Sequence, residues 1–104
     1  PSAHDHHHHA EFRAAVVGGE EPIDEAAFRR AVEALPEAVL RGKGFVHLRG
    51  RPGPWVFQMV GRRYRIEAPD DLAAPPAATT RLVFLGTPEM PDEANLRRRF
   101  GLPA

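Results

Sequence analysis

The sequence predicts an α+β domain: a four- to five-stranded, mainly antiparallel sheet with two helices, in the order β-α-β-β-β-β-α. Three observations predict it. Arg63-Tyr64-Arg65-Ile66-Glu67 alternates apolar and charged residues with the period of two that a half-buried strand requires, and several β-prone runs lie before and after it. Two other segments carry apolar residues at helical spacing behind an aspartate suited to capping. Eleven prolines and nine glycines in 104 residues cut the chain into short elements separated by turns. Adjacent strands joined by short turns pair antiparallel, and a sheet carrying its helices on one face is the packing expected of this pattern.

Taken in order, Phe12-Arg13-Ala14-Ala15-Val16-Val17 reads as a first strand, ended by a loop at Gly18-Gly19. Asp24 then opens a helix over 24–35. Phe28, Val32 and Leu35 share one face, Glu25, Arg29, Arg30 and Glu33 mark the wet side, and Pro36 stops the helix by removing a donor and crowding the preceding turn. Val39 to Leu48 is strand-like, with Gly42 and Gly44 as sites for a bulge or a close backbone approach. After the Gly50-Arg51-Pro52-Gly53-Pro54 loop, Trp55 to Val60 is a β-prone strand joined through a Gly61-Arg62 turn to Arg63–Glu67. Residues 68–79, rich in proline and alanine, form a long loop. Thr80 to Leu85 is the last strand, ended by Gly86. Asp92 caps a helix reaching Phe100, with Leu96 and Phe100 on one side and Gly101 past its end.

The length bounds the chain to one folded domain, taken as residues 11–104, behind a polar, histidine-rich head at 1–10 that is read as flexible. Hydrophobic residues make up 42%, which is in the globular range. The absence of cysteine excludes disulfides and thiolate metal ligands within this chain. No apolar run approaches the ~20 residues of a membrane span, and no signal-peptide core is visible, so a cytoplasmic location and no membrane partner are expected. The chain opens at Pro1 rather than at methionine and is read as a fragment or a processed product. Net charge is zero, but eight acids face three arginines over 1–40, whereas 41–66 holds seven cations and no acid. Such a basic stretch suits a nucleic acid, a nucleotide or an acidic partner, or simply keeps the outer side of a hairpin soluble.

Four features bear on chemistry. His4, Asp5, His6, His7, His8 and His9 place five imidazoles within six residues. Neutral imidazole suits zinc, cobalt, nickel and copper, and a flexible chain offering two to four such nitrogens gives exchangeable binding rather than a closed structural site. An affinity tag is the other reading; the interruption at Asp5 and the flanking Ala3 and Ala10 favour a native segment. His47, alone between Val46 and Leu48, reads as a packing residue rather than a ligand. Arg41-Gly42-Lys43-Gly44 could cradle a phosphate but lacks the spacer and Lys-Ser/Thr pair of a nucleotide-binding loop, so a bulge or close packing is the preferred reading. Asp70-Asp71, in the proline-rich loop, reads as solvated. No catalytic motif is present, and the chain by itself is not expected to be an enzyme. The Trp55, Phe57 and Met59 stripe is expected in the core or at a partner domain. With helices on one face only, either that stripe or Val56/Gln58/Val60 faces outward. An apolar outer face rimmed by the arginines of 41–66 is expected to dock a partner or to let the chain self-associate.

Val39-Leu40-Arg41-Gly42-Lys43-Gly44-Phe45-Val46, followed by Thr80-Arg81-Leu82-Val83-Phe84-Leu85-Gly86 and preceded by the histidine run, resembles the C-terminal domain of the CobW family of GTP-dependent metal chaperones. In that family a histidine-rich connector precedes a small domain carrying V-L/Y-R-x-K-G-F/V and later T-R-L-V-F-I/L-G. The similarity runs from about Ala10 to Phe100. It departs at Gly42, where the family more often has alanine or serine. The resemblance implies an accessory domain that assists metal transfer and partner recognition in metal homeostasis or cobalamin biosynthesis. It also implies an N-terminal P-loop GTPase domain of the same protein as partner, a client metalloprotein, and zinc or cobalt as cargo with nickel as the third candidate. GTP enters only through the GTPase domain, which carries the nucleotide site and a Cys-x-Cys-Cys metal motif; neither maps onto this chain. The runner-up is a small RNA- or nucleotide-binding module using the basic hairpin at 41–66, although nucleic acid is not the expected partner.

Overall fold

The computed structural model describes residues 11–69 and 79–103. The histidine head, Asp70-Asp71 and most of the loop at 68–79 lie outside the described residues. The element order is β1 (Arg13–Gly19), α1 (Glu25–Glu33), β2 (Val39–His47), β3 (Pro54–Val60), β4 (Arg63–Glu67), β5 (Thr80–Gly86) and α2 (Glu93–Arg99). The five strands form a sheet of order β1-β5-β2-β3-β4, and every neighbouring pair is antiparallel. The sheet is therefore five-stranded, at the upper end of the expected count. β5 inserts between β1 and β2, which its nearly continuous apolar run suits. β4, short and charged at alternate positions, takes an edge, where such charges discourage unwanted pairing.

The helices begin as expected. The carboxylate of Asp24 accepts from the backbone N–H of Ala27, and that of Asp92 accepts from Asn95. Past α2, Gly101 takes φ of 70°; its N–H donates to the Arg98 carbonyl and that of Leu102 donates to Arg97. These are the two crossing bonds of a Schellman end, which a glycine in left-handed conformation permits. The helix over 24–35 is shorter than expected: Ala34 is already the cap, and Leu35 is buried just beyond it. β1 runs further than expected, through Gly18 and Gly19. Gly18 stays in the strand because a Cβ there would lie 2.5 Å from the Thr80 carbonyl oxygen across the β1–β5 pair.

Both helices cover the same face of the sheet, and four phenylalanines show it. Phe28 of α1 meets Phe57 of β3 edge-on at 5.3 Å and Phe100, the cap residue of α2, at 5.4 Å; Phe100 stacks on Phe84 of β5 at 5.6 Å. Val17, Val46, Leu48, Leu82 and Leu96 complete the fully buried centre. Phe57 and Met59 are buried and Trp55 packs against them, so that stripe belongs to the core and Val56, Gln58 and Val60 point away from the helices.

Candidate functional site

The glycines of Arg41-Gly42-Lys43-Gly44 are there for packing. Gly42 faces the core, where a Cβ would lie 2.8 Å from the Phe84 ring and 3.1 Å from that of Phe57. Gly44 has φ of 146°, and a Cβ on it would overlap the Arg81 carbonyl oxygen of β5. These constraints press the backbone of β2 against its neighbours, as the close-packing reading required, and β2 pairs with β5 through a register shift between Val39 and Arg41. His47 is half-buried. Its backbone N–H donates to the Thr80 hydroxyl at 3.0 Å, and its Nδ1 lies 3.2 Å from the Glu20 carbonyl oxygen. Its carbonyl accepts from Ile23, so the residue ties the chain entering α1 to the sheet. No group of three or more metal-ligating side chains occurs among the described residues.

The face of the sheet away from both helices brings cations and exposed apolar side chains together. Strand register lays its residues in three rows across all five strands. The first row runs Ala14, Leu85, Arg41, Val60, Arg63. The second runs Val16, Val83, Lys43, Gln58, Arg65. The third runs Gly18, Arg81, Phe45, Val56, Glu67. Five cations and one carboxylate share this surface. Arg65 is held by Gln58 at 2.9 Å and Glu67 at 3.2 Å, whereas Arg41, Lys43, Arg63 and Arg81 make no ion pair among the described residues. The large apolar side chains that stay exposed are Val60 (56%), Phe12 (53%), Val16 (38%) and Leu85 (38%). Three of them lie on this face and Phe12 immediately precedes β1. A shallow trough of about 470 Å³ lies in the middle, between Ala14, Val83 and Leu85 on one side and Arg41, Lys43 and Val60 on the other.

The arginines of 41–66 thus do not form a single rim. Arg49 donates to the Pro22 carbonyl, Arg51 pairs with Glu25 at 2.9 Å and lies over the Trp55 ring, and Arg62 reaches Glu37 at 3.7 Å. Only Arg41, Lys43, Arg63 and Arg65 of that stretch reach the open face, and Arg81, from outside it, joins them. Val16, Val83 and Leu85 also belong to the face. Sequence reasoning missed them because the signal lies in register across β1, β5 and β2, not in neighbouring positions.

The family model of the cobalamin synthesis protein cobW C-terminal domain matches residues 12–101. The chain belongs to the CobW C-terminal domain family. This CobW domain is similar in structure to the Zn(II)-bound YjiA GTPase from E. coli, with a TM-score of 0.73 and 28% sequence identity over 90% of this chain. A triple mutant of that GTPase, also Zn(II)-bound, matches equally well. The CobW domain spans 30% of the YjiA chain. No curated protein sequence matches it. Among the described residues no helix is long and apolar enough to cross a membrane.

Proposed function

We propose that this chain is the accessory C-terminal domain of a CobW-like metal-trafficking GTPase, assisting metal transfer and partner recognition. The family match over 12–101 carries this reading, and the likeness to a Zn(II)-bound GTPase supports it. In this reading the partner is an N-terminal P-loop GTPase domain of the same longer protein, and the recipient is a client metalloprotein in the cytoplasm. The cargo is a divalent ion, zinc or cobalt first and nickel next. His4, Asp5, His6, His7, His8 and His9 would hold it on the way: five imidazoles beside one carboxylate form the densest donor set of the sequence, and exchange is fast where no fixed second shell locks the ligands. The folded domain, in turn, supplies a rigid platform next to that segment.

Calorimetric titration with zinc tests the cargo assignment. The 104-residue chain should bind zinc at neutral pH, and a chain beginning at Glu11 should not. Binding should fade as pH falls through the imidazole range near ~6.5, because protons compete for the same nitrogens. Undiminished affinity in the shortened chain would show that the histidine segment is not the site.

A further inference from the structure

We propose that the open face of the sheet docks an acidic amphipathic helix of a protein partner, laid along the strands. The first reason is the coincidence of two kinds of residue. Arg41, Lys43, Arg63 and Arg81, which make no ion pair among the described residues, and the exposed Val16, Val60 and Leu85 share the side opposite α1 and α2, and there they interleave. A surface kept soluble by charge alone would not retain Val16, Val60 and Leu85 beside its cations; an interface combines an apolar centre with arginine around it.

The second reason is spacing. Arg41 and Lys43 are two residues apart on β2, roughly 7 Å, and Arg63 and Arg65 repeat that spacing on β4, two strands or roughly 10 Å away. Carboxylates at i and i+4 on a helix are separated by about 6 Å, and a helix is about 10 Å across. One helix lying over β5 can therefore set its apolar stripe against Val16, Val83 and Leu85 and a flanking row of acids over Arg41 and Lys43 of the adjoining β2. Such a helix completes a three-layer packing, since the described residues cover the sheet on one face only.

The chemistry favours protein over nucleic acid. Stacking platforms for bases are aromatic, and Phe45 is the one aromatic residue in the three rows. The rest of the apolar surface is valine, leucine and alanine, which a helix buries and a phosphate backbone does not. The face is independent of the histidine segment and survives in a chain beginning at Glu11, so failure of the metal reading leaves it standing, and the reverse holds too.

Backbone amide shift mapping of the 104-residue chain tests it. The probe is a synthetic helical peptide of about 18 residues, five turns, with a leucine stripe flanked by glutamates at i, i+4 spacing. The controls are its scrambled version, an all-glutamate peptide and oligouridine. The amphipathic peptide should shift Ala14, Val16, Lys43, Val83 and Leu85, and should bind at least about tenfold more tightly than the scrambled one. Arg41→Glu with Lys43→Glu should weaken it by about tenfold or more, as should Leu85→Ser, a change at an exposed position that keeps the fold should the charge reversals disturb it. Shifts confined to the helical side, equal binding of the scrambled or all-glutamate peptide, or tighter binding of oligouridine on this face would each overturn the proposal.

Discussion

At Gly44 the residue identity is dictated by one atom of a neighbouring strand. Any Cβ there meets the Arg81 carbonyl, and the φ of 146° adds strain for any other residue. Gly44→Ala should lower the unfolding free energy by more than about 2 kcal/mol in urea titration, while the exposed Lys43→Ala should stay within about 0.5 kcal/mol. Equal effects would contradict the close approach of β2 and β5. Tyr64, the sole tyrosine, offers a second test. Its hydroxyl donates to Glu33 at 2.6 Å, and burial first, then that hydrogen bond, raises its pKa above the ordinary tyrosine value. A proton held more tightly in the folded state stabilises the fold fully below the unfolded value near ~10, and this contribution is lost as pH rises through the folded value. Phenolate absorbance should therefore titrate above ~10 in the folded chain. Tyr64→Phe should cost about 0.5–1.5 kcal/mol at neutral pH. A midpoint at or below the ordinary value would remove the Tyr64–Glu33 link.

Among the elements, α2 is the shortest helix and the most dependent on its ends. Seven residues are too few to be helical alone. The Asp92 cap, the Gly101 end and Phe100 stacked between Phe28 and Phe84 hold it in place. Asp92→Ala should cost about 1 kcal/mol and Phe100→Ala about 3–5 kcal/mol, read by denaturation. If Phe100→Ala costs no more than the cap, the helix is not part of the core. The edge strands differ in a way that matters for association. β4 presents Arg63, Arg65 and Glu67 at its outer boundary, whereas β1 beyond Arg13 is alanine, valine and glycine. Charges at one edge and none along most of the other make β1 the less protected of the two against pairing with another strand.

For the molecule as a whole, a single aromatic cluster links both helices to β3 and β5, so unfolding should be cooperative. Trp55 fluorescence and far-ultraviolet circular dichroism should give coincident transitions; separate midpoints would mean that α2 or the β3–β4 hairpin melts independently. The purified chain should not turn over GTP, because its sequence lacks the phosphate loop, the magnesium ligands and the water-positioning residue that phosphoryl transfer requires. Turnover that persists through purification and is abolished by a substitution in this chain would refute that.

Elements with local causes are legible in the amino-acid sequence. Asp24 and Asp92 announce helices by capping, Pro36 and Gly101 mark their ends, and the period of two in Arg63–Glu67 shows a half-buried strand; these depend on neighbours within a few residues. The Val39–Val46 and Thr80–Gly86 motifs carry the family assignment, and the match over 12–101 agrees with it. The extension of β1 through Gly18 and Gly19 is not legible there, because glycine reads as a loop until Thr80 is seen lying against it. Nor is the candidate docking face. Its cations and valines are scattered over 14–85 and become one surface only when β5 enters between β1 and β2. Sequence periodicity states which residues of a strand share a side; it cannot state which strands lie together or which side the helices cover. That is decided by long-range packing, through the phenylalanines at 28, 57, 84 and 100 that draw α1 and α2 to one face and, among the described residues, leave the other open.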